Sequence, residues 1–217
     1  MTYTLVVGAA PVSGCDAFYS SLLAGAADVV AADAAGEWCV ALGRVPEVVT
    51  GDFDSAAPGA EDRLRALGSE VVAFPCDKDE TDLDLAVVLA RGRAGETLVV
   101  TAAFSLRPDH TLAAFGSLAR AGAHARAEEP GWTAWVCTPG GDLVLDVRTG
   151  TTLSVLALEP ATGVCVSGTA WPLTGASLSP LSGHGVSNRA IGGPVRVRTG
   201  SGTLIVLVLK EGTGEIY

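Results

Sequence analysis

Lysine is almost absent from this 217-residue sequence: Lys78 and Lys210 are the only two. Acidic residues outnumber Lys and Arg by 24 to 14, for a net charge of −10. That balance excludes a nucleic-acid or anionic-membrane partner, because either needs a positive face. A phosphate ligand would need a cation to accompany it. No G-x-x-x-x-G-K-[ST] occurs, which excludes a P-loop. No apolar run approaches the roughly eighteen residues of a membrane span. The opening MTYTLVV lacks a basic n-region, so no signal peptide is expected and the protein is expected in the cytoplasm. The five cysteines include no C-x-x-C pair and read as reduced thiols, each expected to be a small core residue. His110, His124 and His184 are too scattered for a zinc site.

What is present falls into two halves. In the first, short valine-rich runs (TLVVGA 4–9, DVVAAD 28–33, EVVTGD 47–52, EVVAFP 70–75, TLVVTAA 97–103) alternate with helical patterns such as AEDRLRALG and TDLDLAVVLARGR. Such runs suit buried parallel strands, and the alternation predicts βαβ units with helices on both faces of the sheet. Past AEEPGW (127–132) the texture changes to short β-like runs separated by Gly, Pro, Ser and Thr, including TAWVCT, DLVLDV, TLSVLAL, GVCVSG, VRVRT and TLIVLVLK. The expectation is an N-terminal parallel-sheet α/β domain over 1–126 and a C-terminal antiparallel β-sandwich over 132–217.

The polar residues of the first half share one location. Asp33 follows one predicted strand, and Asp52 and Asp54 of GDFDS follow the next. DKDETDLD (77–84) follows the fourth, with Asp77, Asp79, Glu80, Asp82 and Asp84; Arg107, Asp109 and His110 follow the fifth. All lie beyond the carboxyl ends of strands, the edge where open parallel sheets bind ligands. Taken singly, each has a plain structural reading. Asp52 and Asp54 suit turns, Asp79 or Thr81 could cap the next helix, and Arg107 could pair with a neighbouring carboxylate. Together they predict a cation site. Asp52 and Asp54 are two apart, so in an extended segment they point the same way. Close carboxylates raise one another's pKa unless a cation intervenes. Mg²⁺ favours a few carboxylates plus phosphate oxygens.

These residues resemble the thiamine pyrophosphokinase family over nearly the whole chain. The resemblance is carried by AAD ending at Asp33, PEVVTGDFDS (46–55), DKDETDLDLAV (77–87), RPDHTLA (107–113), TAWPL (169–173) and VSNRAIGGPVRV (186–197). It implies transfer of the β,γ-diphosphoryl group of ATP to the hydroxyethyl oxygen of thiamine, leaving AMP. It also implies an ATP-binding α/β domain, a thiamine-binding sandwich and a homodimer with active sites at the subunit interface. By motif, Asp52, Asp54 and Asp82 would hold Mg²⁺. Asp33, Asp79, Thr81, Arg107, Asp109 and His110 would form the nucleotide and phosphate site. Trp171, Ser187 and Asn188 would form the thiamine pocket, with Asn188 hydrogen-bonded to the pyrimidine. Asp54, Asp79 and Asp109 are alternatives for taking the alcohol proton.

The sequence departs from the family pattern at several places. Ala34-Ala35 and Ser105-Leu106 stand where paired glycines are usual, Ala114 stands for an asparagine, and Arg189 stands for a glutamate. Two other readings follow from these departures: a related diphosphokinase for another heterocyclic alcohol such as a hydroxymethylpterin, and a non-catalytic binding homologue.

Overall fold

The computed structural model describes residues 2–93, 97–104, 107–123 and 125–210. His124 and the Ser105-Leu106 pair lie outside them. The chain divides into two compact units, Met1–Ala121 and Gly122–Tyr217.

The first unit alternates strand and helix in the order β1 (Thr4–Val7), α1 (Asp16–Gly25), β2 (Asp28–Ala32), α2 (Ala35–Ala41), β3 (Val48–Gly51), α3 (Ala60–Ala66), β4 (Glu70–Ala73), α4 (Asp82–Arg93), β5 (Leu98–Thr101) and α5 (Pro108–Ala121). The strands pair in parallel in the order β5-β1-β2-β3-β4. Leu5, Val7, Val29, Ala31, Val49 and Val99 form one apolar cluster with Tyr19 and Leu23 of α1, Cys39 of α2 and Leu64 of α3. Side chains one residue out of step point to the other face. There α4 packs on β1 to β3 and against α5, with Ala86, Val87 and Ala90 buried.

The strand order reverses between β1 and β5. Successive strands step outward from β1 to β4, and the α4 crossover then returns the chain to the far side of β1. Such a reversal opens a crevice at the carboxyl ends of the two central strands. Gly8, just past β1, keeps that crevice tight: a Cβ there would lie 2.6 Å from Ala102 O and 2.9 Å from the Ala103 Cβ.

The second unit holds β6 (Ala125–Glu129), β7 (Trp132–Cys137), β8 (Leu143–Leu145), β9 (Thr152–Ala157), β10 (Ala161–Ser167), β11 (Leu173–Leu178), β12 (Asn188–Arg189), β13 (Val195–Arg198) and β14 (Leu204–Leu209). Antiparallel pairing gives the order β12-β9-β14-β7-β6 and a separate sheet β11-β10-β13-β8. Leu153, Val155, Leu204 and Val206 of the first meet Val164, Val166, Val195 and Val197 of the second in one buried cluster. This is the sandwich expected from the short β-like runs, with alternate residues buried along β9 and β13.

All five cysteines are free. Cys39 and Cys137 are core residues, and burial pushes the Cys39 thiol up to about 12. Cys15 and Cys165 are half-buried. Cys76 departs from expectation: it is exposed and lines the crevice, because it sits on the loop after β4 rather than in a strand.

Two glycine substitutions test this geometry. Gly8→Ala should cost about 1–3 kcal/mol through overpacking against Ala102 and Ala103. Gly92→Ala, in α4 with nothing within 4 Å of the new Cβ, should stabilise by about 0.5–1 kcal/mol. Denaturant titration of the two variants checks both signs.

Candidate active site

The crevice is a cleft of about 460 Å³ lined by residues from every segment flagged at the carboxyl edge. Gly8 to Ala10 follow β1, Asp33 follows β2, Ser55 comes from the GDFDS loop, Lys78, Glu80 and Thr81 from the loop before α4, Asp82 and Leu83 from its first turn, and Arg107 and His110 from the start of α5.

Asp33, Asp52 and Asp54 offer carboxylate oxygens that all lie within 4.8 Å of one another. Asp33 is the buried member, at 6% exposure, and its Oδ1 has no hydrogen-bond partner among the described residues. Burial raises its pKa. An N–H from Ala34 offsets part of that rise, while Asp82, Asp52 and Asp54 add to it. Three clustered carboxylate donors, one of them with an unsatisfied oxygen, fit a hard divalent cation such as Mg²⁺.

Asp52 and Asp54 converge, but not through an extended segment. Phe53 between them has φ +58°, and the Asp54 N–H donates to Asp52 Oδ1 at 3.3 Å. The motif is a turn in which the first aspartate accepts from the backbone two residues on. Among the described residues, five non-glycine residues have φ in the left-handed region: Asp33, Phe53, Ala102, Leu181 and Ser187. Three of them follow β2, β3 and β5 at this edge. Asp tolerates that conformation better than most residues; Phe and Ala adopt it only under constraint.

Asp82 stands apart from the trio and is joined to it through Lys78. The Lys78 Nζ lies 3.0 Å from Asp52 Oδ2 and 3.2 Å from Asp82 Oδ1. Burial pulls the Lys78 pKa down, but its hydrogen bond to Asp52 and its ion-pair contact with Asp82 outweigh this and leave it above its ordinary value. The Lys78 contact in turn lowers the Asp52 pKa. Sequence reasoning passed over Lys78 as a participant; its place inside an acidic motif was the available signal.

The remaining predicted residues divide. Thr81 lines the cleft, yet its hydroxyl also caps α4: it accepts from the Asp84 N–H at 3.1 Å, while the Thr81 N–H donates to Asp84 Oδ2 at 3.3 Å. Asp84 also accepts from Ser117 and Arg120, tying α4 to α5. Asp79 is exposed on the preceding loop and does not line the cleft. Arg107 pairs with Asp109 at 2.6 Å, both side chains exposed, and this hydrogen bond holds the Asp109 carboxyl at about 2. A carboxylate so held is a weak base near neutrality. His110 faces the cleft from the first turn of α5.

In the second unit, Trp171, His184, Gly185 and Asn188 line a pocket of about 450 Å³. Trp171 is 63% exposed. Asn188 is buried and brackets the Trp171 backbone. Its Nδ2 donates to Trp171 O at 2.7 Å, and its Oδ1 accepts from the Trp171 and Arg189 N–H groups. The second Asn188 side-chain N–H has no hydrogen-bond partner among the described residues. Ser187, at φ +60°, is exposed, and its N–H donates to Ser154 Oγ.

The buried Asp33 charge yields a stability prediction. Because its pKa is raised, the folded protein holds that proton longer than the unfolded chain. The cost is absent below the ordinary carboxylate range, grows as pH rises through it, and is complete once the folded carboxyl ionises. Asp33→Asn keeps a side chain tolerant of positive φ, so in EDTA at neutral pH it should raise the thermal midpoint by about 2–4 °C, equivalent to ~1 kcal/mol. That gain should vanish at low pH. Calorimetric scans across pH check it.

A model of the thiamin pyrophosphokinase catalytic domain matches residues 19–128, and one of the thiamin pyrophosphokinase vitamin B1 binding domain matches residues 142–204. Among solved structures, thiamine pyrophosphokinase from Bacillus subtilis superposes with a TM-score of 0.79 at 20% identity, covering 96% of this chain and 99% of that one. Thiamin pyrophosphokinase from Geobacillus thermodenitrificans gives 0.77 at 22%, covering 98% and 99%. That from Candida albicans gives 0.75 at 14%, covering 97% and 90%. At such identities the likeness speaks for the fold alone. No curated protein matches the sequence. The two domain models, matching in order along the sequence, carry the assignment: this chain belongs to the thiamin pyrophosphokinase family.

Proposed function

We propose that this thiamine diphosphokinase binds Mg²⁺ and ATP in the cleft of its first unit and thiamine in the Trp171 pocket of its second. The observation that carries the metal reading is Asp33 Oδ1, buried and unpartnered beside Asp52 and Asp54. Asp33, Asp52 and Asp54 would hold the ion, with Asp82 near through Lys78. When bound, Mg²⁺ supplies charge neutralisation to the polyphosphate.

The chain's own residues do the rest. The tight approach at Gly8 and the start of α5 shape a space for the nucleotide. Arg107, at the rim, offers a guanidinium to phosphate oxygens, with Asp109 orienting it. Trp171 offers an exposed ring on which a heterocycle can stack, and Asn188 fixes the backbone that carries it. In the reaction, the thiamine hydroxyethyl oxygen bonds to the β-phosphorus of ATP. The bond from that phosphorus to the α,β-bridging oxygen breaks, AMP leaves, and the alcohol proton passes to a base. Of the three candidate bases, Asp54 is favoured, because it belongs to the carboxylate trio with Asp33 and Asp52 while Asp109 is held by Arg107.

The family resemblance also supports a homodimer with shared sites, and the free cysteines support a cytoplasmic protein. Among the described residues, no helix is long and apolar enough to cross a membrane.

Incubation with Mg²⁺, ATP and thiamine, followed by ³¹P NMR, should give AMP and thiamine diphosphate in equal amounts. ADP with thiamine monophosphate would contradict the reading, and AMP formed only with a hydroxymethylpterin would select the sibling activity. Asp54→Asn should lower kcat by roughly a hundredfold or more while leaving the fold intact. For the dimer, mixing Asp54→Ala with Asn188→Ala should restore roughly a quarter of wild-type activity, because random pairing gives about half heterodimers with one intact site each.

A further inference from the structure

Lys78 is one of two lysines in the chain, and the family resemblance gave it no role. Its side chain and that of its partner Asp52 are each only 12% exposed. The ammonium joins three segments: its own loop after β4, Asp52 after β3, and Asp82 at the start of α4. It also lines the cleft. Asp52 is therefore both the partner of Lys78 and a member of the carboxylate trio.

A single positive charge cannot balance Asp33, Asp52, Asp54 and Asp82, and Asp33 Oδ1 stays unpartnered despite it. A divalent cation arriving with a nucleotide competes with Lys78 for Asp52. The polyphosphate arriving with it offers the ammonium replacement oxygens. Lysine suits such an exchange. It is a compact charge on a flexible four-carbon stem, whereas arginine's planar fork favours one fixed bidentate partner.

We infer that Lys78 is an exchangeable counter-ion, neutralising Asp52 and Asp82 before nucleotide binds and moving to the polyphosphate when a metal ion takes over the carboxylates. This rests on the reading that the cleft binds Mg²⁺ and ATP. Lys78 then has two opposite effects: it weakens metal binding in the absence of nucleotide and strengthens binding of the nucleotide itself. A lysine that merely clipped the loop to α4 would have neither.

Lys78→Met keeps the stem and removes the charge. Mn²⁺ binding without nucleotide, followed by electron paramagnetic resonance, should tighten by roughly tenfold in the variant, because a neighbouring positive charge is gone. Mg²⁺·ATP affinity by calorimetry, without thiamine, should weaken by roughly tenfold. Lys78→Arg should recover part of the nucleotide affinity. If the variant is less stable in EDTA, saturating Mg²⁺ should recover its thermal midpoint. Unchanged or jointly weakened affinities would overturn the inference, as would a stability loss that Mg²⁺ does not repair. If the wild type itself bound no nucleotide, the functional reading would fail rather than the role of Lys78.

Discussion

A buried carboxyl group with one unpartnered oxygen sits at the carboxyl edge of the first unit's sheet. Desolvating such a group is costly, and setting two more carboxylates beside it adds repulsion. Asp33 bears both burdens, with Asp52 and Asp54 within ligand-sharing distance. The backbone is shaped around it. Asp33 and Phe53 take left-handed conformations, and a Cβ at Gly51 would lie 3.1 Å from the Asp33 Cα. Strain of roughly 1–3 kcal/mol at each such residue persists only where the surroundings enforce it. Here the enforcing structure is the parallel sheet, whose buried valines fix where each strand ends. Among the described residues, the counter-charge paired with these aspartates is Lys78, and it does not reach Asp33 Oδ1.

The chemistry is divided between two units built on different principles. The α/β unit concentrates negative charge at one edge and leaves a cleft where the strand order reverses. The sandwich supplies a mostly apolar pocket with an exposed tryptophan. Asn188 illustrates how the second unit works. Most of its hydrogen-bonding capacity goes to the chain, so its first effect is to position Trp171, with one N–H in reserve. The bracket stands next to Ser187, whose backbone is strained, and Gly185, where a Cβ would lie 2.2 Å from Val155 O. The pocket wall is thus fixed by packing before any ligand arrives.

Much of this was legible in the sequence. Four of the five parallel strands, β1, β2, β3 and β5, show as valine runs because both of their faces are buried, which leaves no polar alternation to obscure them; β4, at the sheet edge, is valine-rich but only half-buried. The strands that escaped notice carry weak signals. Ala125–Glu129 reads ARAEE, and its buried positions are two alanines and Glu129, so no apolar run marks it. Leu173–Leu178 reads LTGASL, and Asn188–Arg189 is only two residues long. At the site, the acidic motifs indicated a cation, but the grouping differed. Asp33 joins Asp52 and Asp54 because its strand is next to β3, a neighbour relation that linear spacing does not encode. Asp52 and Asp54 converge through a turn rather than an extended segment, and positive φ at a phenylalanine has no sequence signature. Thr81 kept its plain capping role while also lining the cleft.

The central claim is that the carboxyl-edge carboxylates are left unbalanced so that a divalent cation can complete them. The most direct measurement is anomalous diffraction from a crystal containing Mn²⁺ and a non-hydrolysable ATP analogue. The account predicts a peak bounded by oxygens of Asp33, Asp52 and Asp54, with the polyphosphate beside it. A nucleotide bound in the cleft with its metal ion away from all three aspartates would contradict it.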